Sequence, residues 1–220
     1  MRRSLRGTWI SGSYLDTLQT TGSPARATAS APGVLDFHYD PARDSVVIGI
    51  NGVHYCGTKS ITLIHDDSIA LAADGYRVRF ATPRGADRMV IAGVELRRVS
   101  HVPEVSVGEY LVNRYFVATY TRLDSSGRAL PGTVAITPAG AVNGLGDVVA
   151  LMVATDFRQL RPETDVVGLE TLFPPDTLYY AWKFLSDTLT AEWIPPPSDP
   201  QKPPPEPPGF KLTLLRHKAH

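Results

Sequence analysis

Short stretches rich in Val, Ile, Tyr, Phe and Thr, many of them punctuated by glycine, run the length of this chain and favour antiparallel strands over any other architecture. Asn51-Gly52 stands between Ser45-Val46-Val47-Ile48-Gly49-Ile50 and Val53-His54-Tyr55-Cys56. Asn-Gly supplies the positive φ angles of a type I′ turn, so the pair predicts a two-residue hairpin. Asp74-Gly75 repeats the signal between Ile69-Ala70-Leu71-Ala72 and Tyr76-Arg77-Val78-Arg79-Phe80. In the second of these runs apolar and charged residues alternate, which predicts one buried face and one wet face. Further strands are expected at 34–39, 60–65, 89–99, 115–123, 133–137, 148–154, 177–184, 188–193 and 210–215. With 18 Gly and 19 Pro in 220 residues, the spacing suits a meander.

Helix is scarce in this pattern. Ser13 is expected to cap a short helical turn running through Leu15 and Leu18, ended by Gly22-Ser23-Pro24. Residues 25–33, rich in Ala, Ser and Pro, read as a loose connection, and 102–108 as a joint between the first and second halves. Nine of the 19 prolines fall between Pro195 and Pro208. They fix φ and remove amide donors, which excludes a core strand and favours an extended polyproline II path. Because a strand pattern resumes at Phe210, residues 195–209 read as a long loop before a closing strand; the alternative is a tail carrying a recognition motif.

Composition narrows the function classes. Lys plus Arg equal Asp plus Glu at 22 each, so the cationic excess that nucleic-acid binding draws on is absent, and no nucleic-acid partner is expected. The single cysteine, Cys56, can form neither an internal disulfide nor a thiolate metal cluster. Arg2, Arg3 and Arg6 are not followed by the apolar stretch of an export signal, and no run of about 18 apolar residues marks a membrane-spanning helix. The chain therefore reads as soluble, either cytoplasmic or trimmed of a leader, with no integral membrane segment.

Gly7-Thr8-Trp9, at the head of the strand series, resembles the G-x-W motif that opens the first strand of lipocalins, and Thr155-Asp156-Phe157 is similar to their second motif, T-D-Y. On these residues the chain resembles the calycin superfamily, in particular bacterial lipocalin-like proteins of unassigned role. The resemblance implies an all-β fold, an antiparallel barrel with a short N-terminal helix, formed as a single domain over residues 1–220. It implies that Gly7 permits a tight start to the first strand and that Trp9 plugs one end of the barrel. It also implies an arginine on the last strand packing over the tryptophan, for which Arg216 is the nearest candidate.

Groups with reactive chemistry have simpler structural readings. His54 and Cys56 share a strand face, as a metal pair or a Cys-His nucleophile would, but no third ligand has the matching spacing, and Cys56 reads as packing. His65-Asp66-Asp67 offers carboxylates beside an imidazole, yet a turn after 61–64 accounts for both aspartates. The glycine cluster from Gly140 to Gly146 lacks the lysine of a phosphate loop and reads as a hairpin loop. No catalytic residue, metal ligand or cofactor is expected.

The aromatic residues remain. Tyr55, Tyr76, Tyr115, Tyr179 and Trp182 lie in expected strands and are the candidate ligand-lining residues. An eight-stranded barrel is either filled by side chains or holds one small ligand. The function expected first is non-catalytic binding of a small hydrophobic or amphipathic ligand in the barrel. The alternatives are an interaction module that displays Pro195 to Pro208 to a protein partner, and an enzyme with a barrel-mouth site built on His65, Asp66 or Asp156.

Overall fold

The computed structural model describes residues 5–31, 34–40, 45–50, 53–65, 68–73, 76–79, 81–83, 87–91, 93–100, 106–153, 164–172, 175–195 and 211–217; between 53 and 83 it describes the backbone of the strands. The chain divides into two compact units, the first spanning Met1–Tyr110 with Thr155–Glu163, the second Leu111–Ala154 with Thr164–His220. Each is built on one antiparallel sheet.

The first sheet has nine strands: β1 (Gly7–Ser11), β2 (Val34–Asp40), β3 (Ser45–Ile50), β4 (Val53–His65), β5 (Ser68–Ala73), β6 (Tyr76–Arg79), β7 (Ala81–Pro83), β8 (Arg88–Ile91) and β9 (Val94–Ser100). Their spatial order is β6, β5, β4, β3, β2, β1, β9, β8, β7, so the first strand lies beside the last. Ile50 pairs with Val53 and Ala73 with Tyr76, which leaves two-residue connections where Asn-Gly and Asp-Gly stand. The expected strand 89–99 is two strands, because Gly93 takes a φ of 82° that permits a turn between Ile91 and its partner Val94.

Two helices follow β1. Helix α1 (Gly12–Thr21) ends where Gly22, at φ 66°, donates its amide to the Leu18 carbonyl at 2.9 Å. Ser13 does not cap it: the N-cap is Ser11, and the two hydroxyls lie 3.0 Å apart. Helix α2 (Pro24–Ser30) replaces the loose connection expected over 25–33. Ser23 accepts the Arg26 amide at 3.2 Å and Pro24 opens the helix, a start signal that outweighs a loop-like composition. The small residues Ala25, Ala27 and Thr28 form its buried side. Arg97 of β9 holds α1 through a bidentate ion pair with Asp16, at 2.6 and 2.9 Å.

Helix α3 (Val107–Tyr115) crosses the boundary between the units and overrides the strand expected from 115. A reciprocal cap starts it: Ser106 accepts the Glu109 amide at 3.2 Å, and Glu109 accepts the Ser106 amide at 2.6 Å. Val107, Leu111 and Val112 make its buried face.

The second sheet has eight strands: β10 (Ala118–Leu123), β11 (Ala129–Ile136), β12 (Val142–Asn143), β13 (Val148–Val153), β14 (Val166–Leu172), β15 (Pro175–Leu185), β16 (Thr188–Trp193) and β17 (Leu212–Arg216). Their order is β12, β11, β10, β17, β16, β15, β14, β13. The two edges meet through a bridge between Ala141 and Ala150 and a bond from the Leu151 amide to the Gly140 carbonyl at 2.8 Å, so the strands form a nearly closed antiparallel barrel. Strand alternation turns Val134, Ile136, Leu151, Val153, Val167, Leu169, Tyr180, Trp182, Leu189, Ala191, Leu212 and Leu214 inward, all of them buried.

The closure depends on glycine. Gly144 sits at φ 84°, and a Cβ there would meet the Thr133 carbonyl oxygen at 2.0 Å. The expected cost of Gly144→Ala is about 2 kcal/mol or more, since left-handed strain and the clash add. Urea unfolding should show a lower midpoint, with a loss under about 0.5 kcal/mol contradicting this account.

Candidate functional site

Each unit joins its first strand to its last with the same arrangement of side chains. In the first, Trp9 on β1 pairs with Arg98 on β9, and the guanidinium lies 4.4 Å from the centre of the indole ring. The indole N–H donates to the Leu5 carbonyl at 2.9 Å, and the Arg98 amide donates to the Asp87 carbonyl at 3.1 Å. In the second, Tyr120 on β10 pairs with Arg216 on β17, 5.7 Å from guanidinium to ring. The phenol donates to the Phe116 carbonyl at 2.7 Å, and the Arg216 amide donates to the Asp187 carbonyl at 2.8 Å. The guanidinium over Trp9 is thus that of Arg98, while Arg216 holds the equivalent place over Tyr120. A cation desolvated over an aromatic face contributes about 2 kcal/mol, so the contact is part of the core.

Arg216 also packs at one end of the eight-stranded barrel. Its Nη2 donates to the Tyr115 carbonyl and to the Tyr120 hydroxyl, and its guanidinium lies 4.8 Å from the Phe184 ring centre. Phe116 meets Trp182 edge-on at 4.8 Å; Tyr115 and Phe184 flank Trp182 at 5.6 and 5.8 Å. These rings pack together at one end of the barrel, next to the last turn of α3. Burial pushes the Tyr120 hydroxyl above the usual phenol pKa, partly offset by Arg216, and burial alone does the same to Tyr180.

At the other end of β10, among the described residues, lies a pocket of about 530 Å³ lined by Arg122, Leu123 and Asp124 of β10 and the turn that follows, Leu130 of β11, and Lys211 to Thr213 at the start of β17. Arg122 lies two residues beyond Tyr120 and opposite Leu214, so its side chain turns to the inner face. It is half-buried, and no hydrogen bond or ion pair engages it among the described residues. A bulge between Thr121 and Leu123 widens the sheet at this rim. The Asp124 carboxylate is held in its own turn, accepting from the Ser126 hydroxyl at 2.7 Å and from the Ser126 and Arg128 amides at 2.8 and 3.0 Å. Lys211 pairs across the outer surface with Glu192 at 3.1 Å.

Of the five aromatic residues proposed to line a ligand, Tyr115 and Trp182 come together, but as packing at the closed end. Tyr179 faces away from Tyr180 and Trp182, as its odd position on β15 requires. The side chains of Tyr55 and Tyr76 lie outside the described residues, as do those of His54, Cys56 and His65, the pairs Asp66-Asp67 and Thr155-Asp156, and residues 196–210 of the proline-rich segment. Gly7 opens β1 at φ 118°. Arg122, Leu130 and Lys211 were not among the candidates; the alternation Ala118, Tyr120, Arg122 was the legible sign that one of them faces inward. Among the described residues no three His, Cys, Asp or Glu side chains converge to hold a metal ion, and no helix is long and apolar enough to cross a membrane.

No protein-family model matches the chain, and neither a curated protein nor a solved structure shows significant similarity to it.

Two expectations follow. Arg98→Met should lower stability by about 2 kcal/mol by removing a desolvated cation–π contact, read as a lower denaturation midpoint; an unchanged midpoint would refute the contribution assigned to it. The hydroxyl of Ser126, then the Arg128 amide, hold the Asp124 carboxyl below its usual pKa. A carboxyl lowered on folding stabilises the fold above its unfolded pKa, near 3.9, and loses that contribution as pH falls through the lower folded value. Asp124→Asn should therefore melt below the wild type at neutral pH, with the gap closing in acid below the carboxylate range. A gap that persists there would contradict the charge-based account.

Proposed function

We propose that this protein binds a small amphipathic molecule without catalysing a reaction, and that the apolar part of the ligand enters the eight-stranded barrel at the end where Arg122 lies, which this reading takes as open. The supporting observation is the cavity of about 530 Å³ bounded by Leu123, Leu130 and Leu212. Its volume falls within the range of about 300–1,000 Å³ common to small-molecule sites. The opposite end is filled by Phe116, Trp182, Phe184 and Arg216, which limits the ligand to one entrance. Affinity would come from removing apolar surface from water at about 25 cal/mol per Å², with the rim groups setting orientation. Kinship with the calycins is part of this reading, and the opening Gly7-Thr8-Trp9 with a guanidinium over its indole supports it.

Titration with N-phenyl-1-naphthylamine, a neutral fluorophore that brightens in apolar surroundings, tests the site. The expected result is saturation at one probe per chain. Leu130→Trp, which fills the cavity from a half-buried position, should weaken binding about tenfold, equal to about 1.4 kcal/mol. Equal affinity in the folded variant, or no binding by the wild type, would overturn the proposal.

A further inference from the structure

We infer that the ligand carries a negatively charged oxyacid head, a carboxylate or a phosphate on a single apolar chain, and that Arg122 binds it; this rests on the open-end site proposed above. An inward arginine in a barrel has to find a partner. Arg216, on the neighbouring strand, finds several: the Tyr115 carbonyl, the Tyr120 hydroxyl and the Phe184 ring. Arg122 faces the same interior from β10, half-buried, with no partner among the described residues.

A guanidinium is charged at every accessible pH and carries five donors in a planar fork, a geometry that fits two oxygens of a carboxylate or phosphate. Half-buried and with no partner among the described residues, it keeps donors that a bound anion would engage. The surroundings set the polarity of the ligand. Leu123, Leu130 and Leu212 leave apolar wall beside Arg122, and Asp124, the carboxylate at the rim, is tied to Ser126 and Arg128. Lys211 adds positive charge at the rim but is held outward by Glu192, which leaves Arg122 as the group positioned to bind the head. A cationic ligand would face Arg122 directly and would be disfavoured.

Calorimetric titration of the full chain with decanoate, decyl phosphate, decan-1-ol and decyltrimethylammonium tests this. Hydrogen bonds to a charged group contribute about 1.5–3 kcal/mol, so at least one of the two anions should bind about tenfold or more tighter than the alcohol, and the ammonium weakest. The tighter anion identifies the head group. In Arg122→Met that preference should shrink to about twofold while the affinity for decan-1-ol holds, and in Lys183→Gln, which removes an exposed cation outside the pocket, the preference should persist. Equal binding of anion and alcohol by the wild type would overturn the assignment of Arg122 and leave the open-end site standing. Failure of all four to bind would overturn the site itself. Should Arg122→Met not fold, Arg122→Lys, which keeps the charge but loses the fork, is expected to bind the anion with intermediate affinity; wild-type affinity in that variant would refute bidentate recognition.

Discussion

A guanidinium lying over a first-strand aromatic ring joins the beginning and the end of the strand series in each unit. Arg98 covers Trp9, and Arg216 covers Tyr120. Pairing the first strand of a unit with its last joins the two halves of its sheet, a contact of long sequence separation that incurs a loop-closure cost before any gain. Backbone bonds between β1 and β9, and between β10 and β17, make that contact. The stacked cation and the ring's hydrogen bond to a carbonyl four residues back fix its register. Because side chains alternate with period two, a slip of one residue would turn the whole inner face outward, and a specific pair at the seam protects against it.

The same seam distinguishes the two ends of the eight-stranded barrel. At one end Arg216 donates to Tyr115 and Tyr120 and lies on Phe184, so side chains take up the volume. Two residues further along β10, the inner face carries Arg122 in place of an aromatic ring, and β11 bulges away. Aromatic packing runs out there and a cavity begins. Access and polarity of the proposed site both follow from where the apolar alternation along β10 stops.

Much of this fold was legible in residue order. Asn51-Gly52 and Asp74-Gly75 mark two-residue connections because their neighbours alternate and the dipeptides accept positive φ. Strands at 148–153, 175–185 and 188–193 match their β-branched and aromatic content. Helix α2 was misjudged because Ala, Ser and Pro were read as loop composition, although Ser23-Pro24 is a start signal. Helix α3 was missed although Ser106-x-x-Glu109 spells a capping box, because Tyr115-Phe116-Val117 looked like the opening of the strand that begins at Ala118. Among the aromatic residues, Trp182 was correctly placed in a strand, but its packing depends on Phe116, 66 positions away, and no local pattern encodes that.

By itself the sequence determined that this chain is antiparallel β and where its tightest turns fall, since φ preferences and period-two alternation act over a few residues. Tertiary structure alone decided which strands share a sheet, which arginine covers which ring, and that Arg122 lines a pocket with no partner among the described residues. Those outcomes depend on pairings between segments up to about a hundred residues apart, such as Tyr120 with Arg216, and pairing free energy is a property of two strands at once.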